Sequence, residues 1–177
     1  MANTQSKLKI ITAFNKHYEE FGAICAESIE IYATRFKHEY EITQFKNFSR
    51  PPHWFKIDLL RSALEKPNAE YILWVDPDCC FVDLNSDIID DTIRVNPEKD
   101  LWIANHLCTL KSFSSWKKPR GIFKLGYIGR FIGSLIATAQ PGIYIQIERP
   151  NGGVLLLKNS NWNKDFLNKI WNKTEFI

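Results

Sequence analysis

No run of about 18–20 apolar residues occurs in this chain, so nothing in it reads as a membrane-spanning helix. The nearest stretch, Ile122–Ala139, is interrupted by Lys124, Arg130 and glycines. The opening MANTQSKLKIITAF does not read as a signal peptide, because its apolar run is short and begins among lysines. Glycine and proline number only eight each, which excludes collagen-like and low-complexity classes. The four cysteines (25, 79, 80 and 108) lack zinc-ligand spacing, and Cys79 and Cys80, being adjacent, are poorly placed to pair with each other. A reducing, cytoplasmic compartment is the default expectation. The four histidines (His17, His38, His53 and His106) are scattered without metal-ligand spacing, and no nucleophilic triad emerges. A net charge of +3 is too small to indicate a nucleic-acid partner.

What is present is ordinary globular composition: 45% hydrophobic and 24% charged residues over 177 positions, the length of one domain. Aromatic residues are in excess at 14%. The charges are segregated. Asp76–Asp100 holds eight acidic and two basic residues, whereas Leu101–Ile147 holds six basic residues and no acidic one. The two blocks are either solvated faces or the two sides of one anionic, metal-bridged ligand.

Hydrophobic periodicity orders the elements. Leu8–Phe14 is a short β-branched run and reads as a first strand. Phe21, Ile24, Cys25, Ile29, Tyr32 and Phe36 form the stripe of an amphipathic helix over about 17–37. Tyr40–Phe45 alternates as a second strand. Phe55–Lys66 reads as a helix with Ile57, Leu60 and Leu64 inward. Glu70–Val75 is a continuous apolar run of the kind buried on both faces of a parallel sheet. Leu101–Asn105, Ile143–Glu148 and Val154–Leu157 read as further strands. Ser160 or Asn161 caps a last helix bearing Trp162, Phe166 and Ile170. Leu107–Gln140 gives no clear pattern. Strand and helix alternate in the first half, so the fold class is α/β, with a mixed, mostly parallel sheet flanked by helices.

Asp76-Pro-Asp78 directly follows the buried strand. Ligands of open α/β sheets bind beyond the carboxyl ends of the strands. In an extended segment the residues i and i+2 share a side, so both carboxylates are expected at one spot. Carboxylate oxygens suit Mg²⁺ or Mn²⁺, which keep positions open for water and phosphate oxygens. The alternative is a polar turn, where Asp and Pro are common.

The segment HWFKIDLLRSALEKPNAEYILWVDPDCCFVDL (53–84) resembles the core of the GT-A glycosyltransferases, a Rossmann-like fold. It is most similar to the retaining α-galactosyl-, α-mannosyl- and xylosyltransferases of fungi and plants. There a tryptophan and a lysine open a helix, an Ala-Glu turn follows, and an aromatic-rich strand runs into Asp-x-Asp. Asn151–Leu167 resembles the family's later block, with Asn-x-Gly, an apolar strand, a basic residue and Asn-Ser-x-Trp. The stretch around Tyr32-Ala33 fits loosely, with Lys37-His38-Glu39 where His-Gly is usual.

The resemblance implies a hexosyl- or pentosyltransferase that uses a nucleotide-sugar donor (UDP- or GDP-linked), a glycan acceptor and Mn²⁺ or Mg²⁺, with retention at the anomeric carbon. It makes Asp78 the direct metal ligand, with Asp76 beside it nearer the donor's ribose or sugar. Lys56 reaches donor phosphate or sugar. Phe14 and Asn15 lie where such enzymes receive the nucleotide base. Asn151, Gly152 and Gly153 line the sugar and acceptor side, and His53 and Trp54 stand beside Lys56. On this pattern 7–85 forms the donor part and 100–177 the acceptor part. Such enzymes commonly complete the metal site with a late histidine, and none follows His106, so either water and diphosphate oxygens or further chain beyond Ile177 would be expected to finish it.

Packing roles compete at several of these positions. Phe14 also suits the core, Lys56 a solvated helix face, Gly152-Gly153 a turn, and Trp54 a buried helix entry. Trp74 and Trp162 read as core. Two other functions fit parts of the pattern. A haloacid-dehalogenase-like phosphotransferase also carries Asp-x-Asp after an apolar strand, but expects Thr or Val where Cys80 stands. A non-catalytic nucleotide-sugar or carbohydrate-binding module would keep the fold without turnover.

Overall fold

Alternate residues of the two central strands bury on opposite faces, and this organises the molecule. The computed structural model describes residues 7–46, 48–109 and 146–173. Strand β1 is Leu8–Phe14 and β3 is Tyr71–Val75. Leu8, Ile10, Tyr71, Leu73 and Val75 pack beneath helix α1, Glu19–Phe36, with Cys25, Ile29, Tyr32 and Ala33. Ile11, Ala13, Ile72 and Trp74 face the other layer. That layer contains helices α2, His53–Leu64, and α3, Asn161–Trp171, which pack on each other through residues that include Leu60, Leu64 and Leu167. A strand buried on both faces needs a continuous apolar run, and YILWV supplies it.

Strand β2, Glu39–Gln44, pairs with β1 in parallel, and so does β3 on the other side. The sheet continues through β5, Gln146–Lys158, antiparallel to β3, to β4, Leu101–Thr109. Sheet order is β2-β1-β3-β5-β4. The mixed, mostly parallel sheet flanked by helices agrees with the sequence reading.

Several boundaries differ from expectation, each for a physical reason. Ile143–Glu148 and Val154–Leu157 were expected as separate strands, but 146–158 is one strand. Arg149-Pro150-Asn151-Gly152-Gly153 therefore does not turn. Pro150 lies beyond the part of β5 registered with β3, which ends at Val154, so its missing N–H costs that pairing nothing. In α1, Phe21 and Ile24 are about 60% exposed, because the sheet covers a narrower face centred on Cys25, Ile29 and Tyr32. Trp162, expected in the core, is 53% exposed and stacks on Phe166; Asn163 and Leu167 are the residues of α3 that are buried. Ser160 caps α3, accepting from the Asn163 amide.

By contacts the chain divides into two compact units, 1–104 with 152–177, and 105–151. The second is described over 105–109 and 146–151, as extended strand. Residues 107–109 of the unreadable region continue β4, while its remainder and the six residues of the basic block (Lys111, Lys117, Lys118, Arg120, Lys124 and Arg130) lie outside the described residues. Among the described residues no helix is long and apolar enough to cross a membrane.

The acidic stretch after β3 is held down by α1. Tyr32 stacks on Phe81 at 3.9 Å between centroids. Its hydroxyl donates to the Ser86 carbonyl and accepts from the Ile88 amide. His38 Nε2 lies 3.0 Å from Asp87 Oδ1, and Asp87 also accepts the Ile89 amide at the start of a single π turn, Ile89–Ile93.

Burial pushes the Cys25 thiol up to about 11 and the Tyr32 phenol up to about 12. A folded-state value above the unfolded one means that the folded chain keeps a proton which the unfolded chain releases. Stability is then lost as pH rises, from about 9 to 11 for Cys25 and from about 10 to 12 for Tyr32. Each contributes a loss of about 2 kcal/mol by the time its folded value is reached. Urea unfolding at pH 8, 9.5 and 10.5 is expected to show this decline, and Cys25→Ala to make it shallower. Equal stability at all three values would refute it.

Candidate active site

The site is built where β3 runs out. The β3–β5 ladder continues one step past Val75, since the Asp76 amide donates to the Gly153 carbonyl at 2.7 Å. The chain then turns sharply, with the Cys79 amide donating to the Asp76 carbonyl across a β-turn that has Pro77 at its second position. This corrects the expectation of an extended Asp-Pro-Asp segment. Proline fixes φ, and the turn closes immediately, so the i, i+2 alternation of a strand does not set where Asp76 and Asp78 point. Asp76 is half-buried and Asp78 is exposed. The Cys79 thiol lies 3.8 Å from Asp78 Oδ1.

Lys56 comes from the first turn of α2, where a cation is opposed by the helix dipole. Its placement is offset by two partners. Nζ lies 2.7 Å from Asp76 Oδ1 and donates to the Gly152 carbonyl at 2.8 Å. It also stands 5.2 Å from the centroid of the Trp74 ring. Three segments far apart in sequence, the start of α2, the end of β3 and the Gly152-Gly153 step of β5, thus meet on one ammonium group. A Cβ at Gly152 would meet Lys56 Nζ at 3.9 Å, an ordinary contact. What Lys56 uses at this position is the carbonyl, not the absence of a side chain.

The remaining candidates fall elsewhere. Phe14 closes β1 in the core, its ring lying against Gly22 of α1. Asn15 caps a short 3₁₀ turn, Lys16–Tyr18, accepting from the His17 amide at 3.0 Å. Trp54 is buried, with Arg50 Cζ 5.1 Å from its ring and the Trp171 ring beside it. The packing reading of Trp54, rather than an open sugar platform, describes its place here. His53 is exposed on the first turn of α2. Asn151 is exposed and belongs to the second compact unit.

The sequence reading missed two contributors. Cys25 lies 3.6 Å from the Asp76 carbonyl and 3.7 Å from Thr12 Oγ1, tying the turn to α1 and β1. Trp74 donates its indole N–H to Asp76 Oδ1 at 2.5 Å. The i, i+2 spacing of Trp74 and Asp76 was visible in the sequence. The core reading of Trp74 concealed it.

The fold and the family are established by comparison. The structure aligns with a glycosyltransferase involved in the glycosylation of the major capsid of PBCV-1, at a TM-score of 0.55 and 16% identity, over 95% of this chain and 68% of that one. Alignments at lower TM-scores include the galactosyltransferase LgtC in complex with donor and acceptor sugar analogs (0.47; 14% identity; 96% of this chain, 66% of that one). Another is the glycosyltransferase GlyE of Streptococcus pneumoniae TIGR4 (0.45; 15% identity; 97% of this chain, 39% of that one). The fold is that of the GT-A glycosyltransferases. Residues 5–120 match the galactosyl transferase GMA12/MNN10 family, and the chain belongs to that family of transferases. No curated protein sequence matches the chain.

Proposed function

We propose that this protein transfers a hexose or pentose from a UDP- or GDP-sugar to a glycan acceptor, with retention at the anomeric carbon, aided by Mn²⁺ or Mg²⁺. The observation that carries this reading is the meeting of Lys56, Asp76 and the Gly152 carbonyl at the carboxyl end of β3 in a chain of this family. A nucleotide diphosphate needs positive charge beside it and carboxylates to hold a hard cation, and this end of the sheet supplies both.

Among the described residues no group of three or more His, Cys, Asp or Glu is placed to hold a metal ion. The donor set nevertheless suits a hard cation. Asp78 offers an exposed carboxylate, and no hydrogen bond or ion pair among the described residues involves Asp76 Oδ2. Mn²⁺ and Mg²⁺ accept few protein ligands and complete their shell with water and phosphate oxygens. Once bound, such a cation would offset the charge of the departing diphosphate.

The chain's own residues do the rest. Lys56 places a positive charge at the site, to be shared between Asp76 and the donor's phosphate. Phe14 and Asn15, at the end of β1, receive the base. Gly152 and Gly153 line the sugar and acceptor side. Catalysis of this kind rests on positioning the two substrates and on charge stabilisation.

The test is a panel of UDP- and GDP-sugars with glycan acceptors, with Mn²⁺ or with EDTA, read by released nucleotide. Release that depends on both metal and acceptor is expected. Donor binding without release would make the chain a binding module. Hydrolysis of simple phosphoesters without any nucleotide-sugar binding would replace the proposal with a phosphotransferase.

A further inference from the structure

We propose that Trp74 is a positioning residue for the Asp76 carboxylate, a role that rests on the site reading above. Its indole is 3% exposed and packs in the layer of α2 and α3, which is why the sequence reads it as core. Yet the N–H reaches Asp76 Oδ1 at 2.5 Å, and Lys56 Nζ reaches the same oxygen at 2.7 Å. A donor and a cation therefore converge on one carboxylate oxygen, and among the described residues this leaves Oδ2 for a ligand.

Two facts separate this contact from incidental packing. First, it is not what every indole here does: the Nε1 atoms of Trp54 and Trp102 are buried with no hydrogen-bond partner among the described residues. Second, the bonding fixes the carboxylate from two directions. The indole comes from β3 itself, two residues back on the same side, and the ammonium comes from α2. A carboxylate held by Lys56 alone keeps freedom to rotate, since a lysine is a point charge on a flexible stem. The indole N–H is rigidly placed by its buried ring. Hydrogen bonds to ionised acceptors are short and strong, and more so where water is excluded. Trp74 thus preorganises Asp76 without touching the donor.

Trp74→Phe removes the N–H while keeping an aromatic ring beside Lys56. Thermal unfolding and circular dichroism verify folding. Mn²⁺ binding is then followed by electron paramagnetic resonance with UDP or GDP as the probe nucleotide, alongside transfer kinetics. Expected is a binding constant for Mn²⁺ and nucleotide weakened about tenfold in the folded variant, with a lower kcat. Binding and kcat equal to the unaltered protein would overturn the proposal.

A second measurement does not depend on Trp74→Phe folding. In ¹⁵N-labelled protein the Trp74 indole proton is expected strongly downfield, and Asp76→Ala should move it upfield. An unchanged resonance in Asp76→Ala also overturns the proposal. Failure of the unaltered protein to bind Mn²⁺ with any nucleotide would instead refute the site reading, while the resonance still reports the Trp74–Asp76 contact.

Discussion

Asp78→Ala is expected to lower metal-dependent transfer by about 10²–10³-fold while leaving the fold as stable as before. The two halves of that expectation come from one observation. Asp78 is exposed within the turn, and its one side-chain hydrogen bond among the described residues is with the Cys79 thiol at 3.8 Å. A carboxylate with so little to hold in place contributes little to stability, and exposed substitutions usually stay within about 0.5 kcal/mol. On the proposed function its value lies in an oxygen offered to a cation. Asp76→Ala should behave differently. It strips the partner from both the Lys56 ammonium and the buried Trp74 indole, so it costs stability as well as turnover. Melting temperature and single-turnover release at saturating Mn²⁺, measured on both variants, separate the roles. Unaltered turnover in Asp78→Ala would remove Asp78 from the site.

Gly22→Ala is expected to destabilise the protein by about 2 kcal/mol, although alanine is the better helix former by about 1 kcal/mol. Gly22 sits on the buried face of α1, and a Cβ there would lie 2.4 Å from Phe14 Cγ and 2.5 and 2.7 Å from its two Cδ atoms. No ring atom tolerates that approach, so the ring or the helix must shift. For a chain of this size the melting temperature should fall by about 4–8 °C. The clash has one named partner, which makes the prediction sharp. In a Phe14→Ala background the same Gly22→Ala change should cost nothing, because the ring is gone and only the helix preference remains. If the two changes are additive in urea unfolding, the contact between Gly22 and Phe14 is not the cause. Because Phe14 is also proposed to receive the donor base, Gly22→Ala should weaken nucleotide binding in the fraction that stays folded.

Much of this was legible in the chain itself. The run YILWV predicted a strand buried on both faces, and the structure buries its alternate residues in two separate layers. The stripe at Leu60 and Leu64 predicted the inner face of α2, and Ser160 the cap of α3. These features depend on local periodicity and on side chain–backbone bonds within a few residues, which sequence order preserves. Phe21, Ile24 and Trp162 misled for the opposite reason. Apolar residues at helical spacing mark a face, but how wide a face the neighbouring sheet covers is decided by the sheet.

The site divides along the same line. By itself the sequence determined the strand that ends in Asp76-Pro77-Asp78, the lysine at the start of a helix, and the resemblance that joined them. Only the tertiary structure decided that Lys56 bonds a carbonyl 96 positions away, that a turn rather than an extended segment carries the two carboxylates, and that Trp74 serves Asp76. The physical reason is that a motif fixes which groups are available. Which oxygen each donor meets depends on the register of β5 against β3 and on the packing of α2, and these are set by contacts between segments distant in the chain.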